Sequence, residues 1–223
     1  MWITIANHLW QSTLFVLLIG ALCHLLRHDG AHVRYWLWWA ASVKFLLPFS
    51  LLTALGARFA DWAALAPVPE LWSSTMTSVA NPFTATEASW SIGAVVLAAW
   101  LAGTGLVLTN WIVRAAKLRR VVESATQDSA PLRAAGQWIS VYRADARVEP
   151  GVIGILRTAL LLPNGIEKRL TPAQLEAVLA HELCHIRRRD NLTAAVHMLV
   201  EAVFWFHPLV WWVGAKLIDE RER

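Results

Sequence analysis

Apolar positions in this chain gather into long blocks instead of alternating. Three blocks near the N-terminus, 2–26, 35–56 and 91–113, each supply the roughly 20 residues that cross a bilayer as a helix. The first is broken only by Asn7, His8, Gln11, Ser12, Thr13 and His24. It is too long for a signal peptide, and lacks both an N-terminal positive flank and a small-residue cleavage site. The second block opens on an aromatic belt, Tyr35-Trp36-Leu37-Trp38-Trp39, and is interrupted by Lys44 and Pro48. Lys44 reads equally as a functional intramembrane charge or as a cation facing a polar group on a neighbouring helix or a water-filled gap. Residues 57–90, dominated by Ala, Pro, Ser and Thr, predict a loop or short surface helix outside the bilayer. The third block carries Gly93, Gly103 and Gly105, which permit close helix contact, and stops at Arg114, Lys117, Arg119 and Arg120.

Beyond Val121 the pattern shortens. Gln137–Tyr142, Ala146–Val148, Gly151–Gly154 and Thr158–Pro163 have strand-like composition and predict a small antiparallel sheet. Such a sheet offers an edge to an extended peptide or serves simply as core. A helix then begins at Thr171-Pro172-Ala173-Gln174: Thr171 is its N-cap, Pro172 opens the first turn and Gln174 closes a capping box. Leu170 and Leu175 are placed for a hydrophobic staple, with Val178 and Leu179 as further anchors. After Arg187-Arg188-Arg189-Asp190, residues 192–213 are apolar again, and Pro208 separates two helices within the interfacial run Phe204–Trp212.

The Thr171 helix carries His181-Glu182-Leu183-Cys184-His185. Residues four apart share a helix face, so the two imidazoles can grip one zinc ion while Glu182 stands beside it. A carboxylate in that place takes a proton from the attacking water and returns it to the leaving amine. Cys184 lies about a hundred degrees round the helix from His185 and is expected to pack. A catalytic zinc needs a third protein ligand and one open position. Asp219, Glu220, Glu222 and Glu201 are candidates that helical phase does not separate, and His197 and His207 are weaker rivals. Asp190 caps the next helix or orients a zinc-bound imidazole. The three arginines before it read as a basic collar at the membrane surface.

Composition supports a membrane protein, with 57% hydrophobic residues and 14 tryptophans. The formal charge of +4 is modest and its carriers sit beside apolar runs, which argues against direct nucleic-acid binding. Cys23 and Cys184 give no disulfide framework. Arg27 and Arg34 follow the first span and four basic residues follow the third, whereas the intervening loop has only Arg58. By the positive-inside rule the N-terminus lies outside and the His181 helix inside.

Several blocks together resemble the BlaR/MecR-type membrane metallopeptidases, the antirepressor or signal-transducer family of bacterial beta-lactam resistance. They are Leu9-Trp10-Gln11-Ser12, Leu46-Leu47-Pro48, Glu149–Gly154 leading to Leu161-Leu162-Pro163, His181 to Asp190, and Phe204–Trp212. The resemblance implies a membrane α-helical region with three transmembrane helices (residues 1–113, spans 2–26, 35–56 and 91–113, loop 57–90). A cytoplasmic α+β gluzincin-like zinc metallopeptidase domain would follow over 114–223, reading as a truncated or shortened member without the sensor. In that family a glutamate within Glu-x-x-x-Asp completes the metal site, and Asp219-Glu220-Arg221-Glu222-Arg223 resembles the start of that pattern, making Glu222 the ligand. The implied activity is zinc endopeptidase in the bacterial inner membrane, with Zn2+ on His181, His185 and Glu222 and Glu182 as the catalytic base. Implied partners are the lipid bilayer, a peptide or protein substrate such as a transcriptional repressor or the chain itself, and a second copy as a homodimer. A reading from another class is a catalytically inactive signalling scaffold whose zinc is structural. A transporter using Lys44 is poorly supported, since three spans show no repeat.

Overall fold

The computed structural model describes residues 2–28, 30–48, 78–79, 82, 90–128, 132–134, 137–145 and 147–223. Nearly all of the expected 57–90 loop, the tail of the second span over 49–56, and Ala146 lie outside them. The chain divides into two compact units, residues 1–104 with 199–223, and residues 105–198.

Helices α1 (Trp2–Leu25), α2 (Ala31–Leu46) and α3 (Trp90–Glu123) form where the three apolar blocks lie. Among the described residues two segments, Trp2–Leu25 and Ile92–Glu123, are long and apolar enough to cross a membrane. The described part of α2 is shorter and closes at Leu47 in extended conformation, one residue before Pro48. The third helix runs on past Val113, where the apolar block ends, to Glu123. Its basic extension consists of good helix formers without Gly or Pro, and Arg119 pairs with Glu123 one turn on.

In the first unit, α1 and α2 pack with α7 (Pro208–Arg221) around Val16, Ile19, Cys23, Tyr35, Trp38, Ala41, Phe45, Val210, Val213 and Leu217. The buried positions of α1, Asn7, Ser12, Val16, Ile19 and Cys23, follow a helical period, while Leu17, Leu18 and Leu22 stay exposed. Such a helix keeps one face for protein and the rest for an apolar solvent. Gly20 makes room for Trp212, whose ring would lie 2.8 Å from a Cβ there and meets Trp38 edge-on at 4.8 Å. Gly103 has the same use: a Cβ would fall 2.0 Å from Trp205 Cε2. Trp205 in turn donates to the Trp100 carbonyl at 3.2 Å, and Trp100 donates to that of Val203 at 2.8 Å. A Cβ at Gly93 would meet Trp2 at ordinary contact distance, and one at Gly105 would meet nothing within 4 Å among the described residues.

Two buried cations in this unit are satisfied differently. Lys44 donates to Ser12 Oγ on α1 and to the Leu47 carbonyl, each at 3.4 Å, so it faces a polar neighbour. Arg34 and Glu220, each 6% exposed, form a two-pronged ion pair, Nε to Oε1 at 2.9 Å and Nη2 to Oε2 at 2.8 Å. Arg34 Nη1 also donates to the carbonyls of Leu26 and Arg27 at the end of α1, both at 3.3 Å.

The second unit holds a five-stranded sheet: β1 (Thr126–Gln127), β2 (Leu132–Ala134), β3 (Gln137–Ala144), β4 (Gly151–Ile153) and β5 (Ala159–Pro163). The order is β1-β3-β5-β4, with β2 also on β3. It is mixed, correcting the antiparallel expectation: β3 and β5 run parallel, with Val141 opposite Leu160. The reason is that β4 and β5 form a hairpin, turned at Gly154 (φ 85), and β5 inserts between β4 and β3. A side chain at Gly154 would meet the Arg157 carbonyl at 2.1 Å, so the turn requires glycine. Arg147 and Val148 are not strand. Asp145 accepts both backbone amides at 3.1 and 3.0 Å and bends them into a turn. The central strand β5 is buried over Leu160-Leu161-Leu162-Pro163, as a continuous apolar run on a central strand should be.

After the short α4 (Ile166–Arg169) comes α5 (Pro172–Arg188), whose stripe of Leu175, Leu179, Leu183 and Ile186 packs with Ile139, Val141, Leu160 and Leu162 of the sheet. Helix α6 (Asp190–Val203) follows α5 after a single residue.

Candidate metal centre

The site grows from the start of α5. Gln174 N donates to Thr171 Oγ1 at 3.3 Å, and Thr171 N donates to Gln174 Oε1 at 2.9 Å, so the expected capping box is formed. With the leucine stripe seated on the sheet, the opposite face presents His181 and His185 one turn apart. Their rings stand perpendicular with centroids 4.7 Å apart, and their Nε2 atoms are 3.2 Å apart. Two nitrogens bound tetrahedrally to one zinc at ordinary bond lengths are about 3.3 Å apart, so the pair fits that ion.

His185 Nδ1 lies 2.6 Å from Asp190 Oδ2. A carboxylate there accepts a hydrogen bond from Nδ1–H and leaves the Nε2 lone pair directed toward His181. Asp190 is only 1% exposed, and Arg188 donates to the same oxygen from Nη2 at 2.7 Å and from Nε at 3.2 Å. It reaches this place because Arg189 adopts a left-handed conformation (φ 57), which ends α5 and starts α6 within one residue. For a non-glycine residue that conformation costs about 1–2 kcal/mol. The carboxylate thus orients an imidazole instead of capping its own helix, and Arg188 is bound within the site instead of forming part of a free basic collar.

Glu182 is buried at 9% exposure and neither hydrogen-bonded nor ion-paired to any described residue. Cys184 is exposed, which corrects the packing expectation, since Leu183 and Ile186 take the inward positions beside it. Next to the arginine turn, Asn191 Nδ2 donates to the carbonyls of Val152 and Gly154 at 3.1 and 2.8 Å. Part of the edge of β4 is therefore occupied from α6. His197 is buried on α6.

In the first unit the remaining candidates separate by their partners. His207 Nε2 lies 3.1 Å from Thr13 Oγ1. Glu220 is committed to Arg34, and Asp219 pairs with Lys216 at 3.0 Å. Glu201 is half-buried on α6. Glu222, exposed, is the C-cap of α7 and accepts from Arg221 Nε at 3.0 Å. Sequence reasoning named all these acids but missed Arg34, whose partner lies 186 positions away.

Elsewhere in the second unit, Arg143 joins Asp128 and Glu167. Burial pulls the guanidinium downward, but hydrogen bonds and charge from Glu167 and Asp128 outweigh it and raise its pKa. The Glu167 carboxyl is held below its usual range by its own backbone amide and then by Arg143. That contribution is present above the unfolded carboxyl pKa and is lost as the pH falls through the lower folded value. Glu167 is half exposed, so the contribution is small.

Comparison with known proteins bears on the whole chain. Over 86 residues, 39% of this chain and 14% of the relative, it is 31% identical to the Regulatory protein BlaR1 of Bacillus licheniformis. Over 136 residues, 56% of this chain and 23% of the relative, it is 20% identical to the Methicillin resistance mecR1 protein of Staphylococcus aureus. A shorter stretch of 54 residues is 45% identical to a Protease HtpX homolog of Moorella thermoacetica, covering 23% of this chain and 18% of that one. The chain spans less than a quarter of the length of these relatives. Residues 3–223 match the family model described as BlaR1 peptidase M56, and the chain belongs to that family.

Proposed function

We propose that this chain is a zinc endopeptidase of the inner membrane in which His181, His185 and Glu222 hold the metal and Glu182 moves the proton. The observation that carries the reading is the 3.2 Å approach of the two Nε2 atoms, with His185 fixed from behind by a buried aspartate. Bound zinc supplies a Lewis acid for the scissile carbonyl and acidifies water. The chain's own residues do the rest. Glu182, next in sequence to one ligand and without a competing partner among the described residues, accepts the proton of the attacking water and delivers it to the departing amine. Asp190 keeps His185 in the tautomer that presents Nε2. Glu222 is favoured as third ligand because it occupies the place the family resemblance implies, while the neighbouring Glu220 is buried in its pair with Arg34. Peptide cleavage by the purified chain is expected to disappear on chelation and return with zinc; cleavage that persists in metal-free protein contradicts the reading.

The substrate proposed is a cytoplasmic transcriptional repressor or the chain itself, in an antirepressor signalling system. Support comes from the relatives named BlaR1 and mecR1. The N-terminus is placed outside and the metal centre inside, supported by the basic residues around α1 and α3. Cys184 is exposed and Cys23 buried, which makes this testable without added cysteines. A membrane-impermeant maleimide should label Cys184 in permeabilised cells but not in intact ones; labelling of intact cells reverses the orientation.

Asp190→Asn removes the negative charge and one of the two acceptor oxygens while keeping the shape. Zinc affinity is expected to fall about 10–100-fold, measured by chelator competition. Wild-type affinity would show that His185 does not depend on Asp190.

A further inference from the structure

We infer that Arg34, in the link between the first two apolar blocks, is a positioning residue for the Glu222 ligand and acts through Glu220. The inference rests on the proposed role of Glu222 and concerns contacts within one unit only. Glu220 sits in the last turn of α7, and Glu222 is the residue that caps it. Two positions along a helix turn the side chain by about 200°, so the two carboxylates face opposite ways. Accordingly Glu220 is buried and Glu222 is exposed.

Helix C-termini lack their own hydrogen-bond partners over the last turn and fray unless something holds them. The last core side chain on α7 is Leu217, five residues before Glu222. Beyond it, Glu220 is buried and tied to the rest of the unit by the guanidinium of Arg34. Two of its nitrogens grip both oxygens of Glu220, and the third is anchored on the carbonyls of Leu26 and Arg27. The two-pronged geometry fixes orientation as well as distance. A metal ligand has to be held within about 0.5 Å of its working position. The clamp sets the last helical turn and hence the place from which the Glu222 carboxylate projects. A hydrophobic pair in the same space would preserve packing without that precision.

The test is zinc affinity of the full chain in detergent, read by competition with a fluorescent chelator, beside the thermal midpoint of the metal-free protein. The paired variant Arg34→Met with Glu220→Leu removes the clamp without stranding a buried charge. It is expected to keep the wild-type midpoint and to bind zinc about tenfold more weakly or worse. Glu222→Gln alone is expected to weaken zinc binding, and adding the paired change in that background is expected to change it no further, because the clamp works through the missing ligand. Arg34→Lys, which keeps the charge but not the two-pronged grip, should lie between wild type and the pair, and it stands in if the pair does not fold. Wild-type zinc affinity in the folded variants, with Glu222→Gln still weakened, overturns the inference and leaves the ligand reading intact. An equal loss in the Glu222→Gln background also overturns it. If Glu222→Gln binds zinc as wild type does, the ligand assignment falls, and the positioning role falls with it.

Discussion

Glu182→Gln is expected to retain zinc and to lower peptide cleavage about 10²–10⁴-fold, the range typical of a lost general acid–base. The amide has nearly the size and shape of the carboxylate, so the packing of α5 on the sheet through Leu179, Leu183 and Ile186 should not change. What it loses is the ability to accept a proton. The two imidazole nitrogens that approach each other remain where they are, since neither uses Glu182 as a partner in the structure. Metal content and turnover measured on the same preparation separate the roles: zinc kept and activity lost is the expected pair. Zinc lost together with activity would make Glu182 a ligand or a structural residue, and full activity would remove it from the chemistry.

The largest stability effect is expected at Arg34. Arg34→Met alone leaves Glu220 buried with a charge and no partner. Breaking a buried ion pair in this way costs about 3–5 kcal/mol. For a chain of this size that lowers the melting midpoint by roughly 10 °C. Replacing both partners with apolar residues of similar volume is close to neutral by the same physics, because the cost of dehydrating two charges disappears along with their attraction. Thermal unfolding of the metal-free single and paired variants therefore reads the pair directly. A single variant as stable as wild type would mean that Glu220 finds water or another partner.

Features set by neighbours in sequence were legible. The capping box at Thr171 and Gln174, the leucine stripe and the one-turn spacing of His181 and His185 are all determined within a few residues, and all form as expected. Features set by tertiary contact were not. Whether β5 joins β3 parallel or antiparallel depends on which side of the β4–β5 hairpin faces the rest of the sheet, and no local propensity encodes it. Asp190 had two plausible uses, and the choice followed from the left-handed turn at Arg189, a conformation the sequence gives little reason to expect of arginine. The Arg34–Glu220 pair joins residues at opposite ends of the chain, each of which looks locally like an ordinary surface charge. The length of α3 was not legible either, because the hydropathy pattern reports where an apolar environment stops, at Val113, and the helix continues through the basic residues to Glu123.

The most direct measurement is the zinc content of the intact chain purified in mild detergent, compared with that of His181→Ala, His185→Ala and Glu222→Gln. One zinc per wild-type chain, lost with either histidine and weakened with Glu222, is the result this account predicts. A purified, folded chain that holds no zinc, or that holds it unchanged without the two histidines, would contradict it.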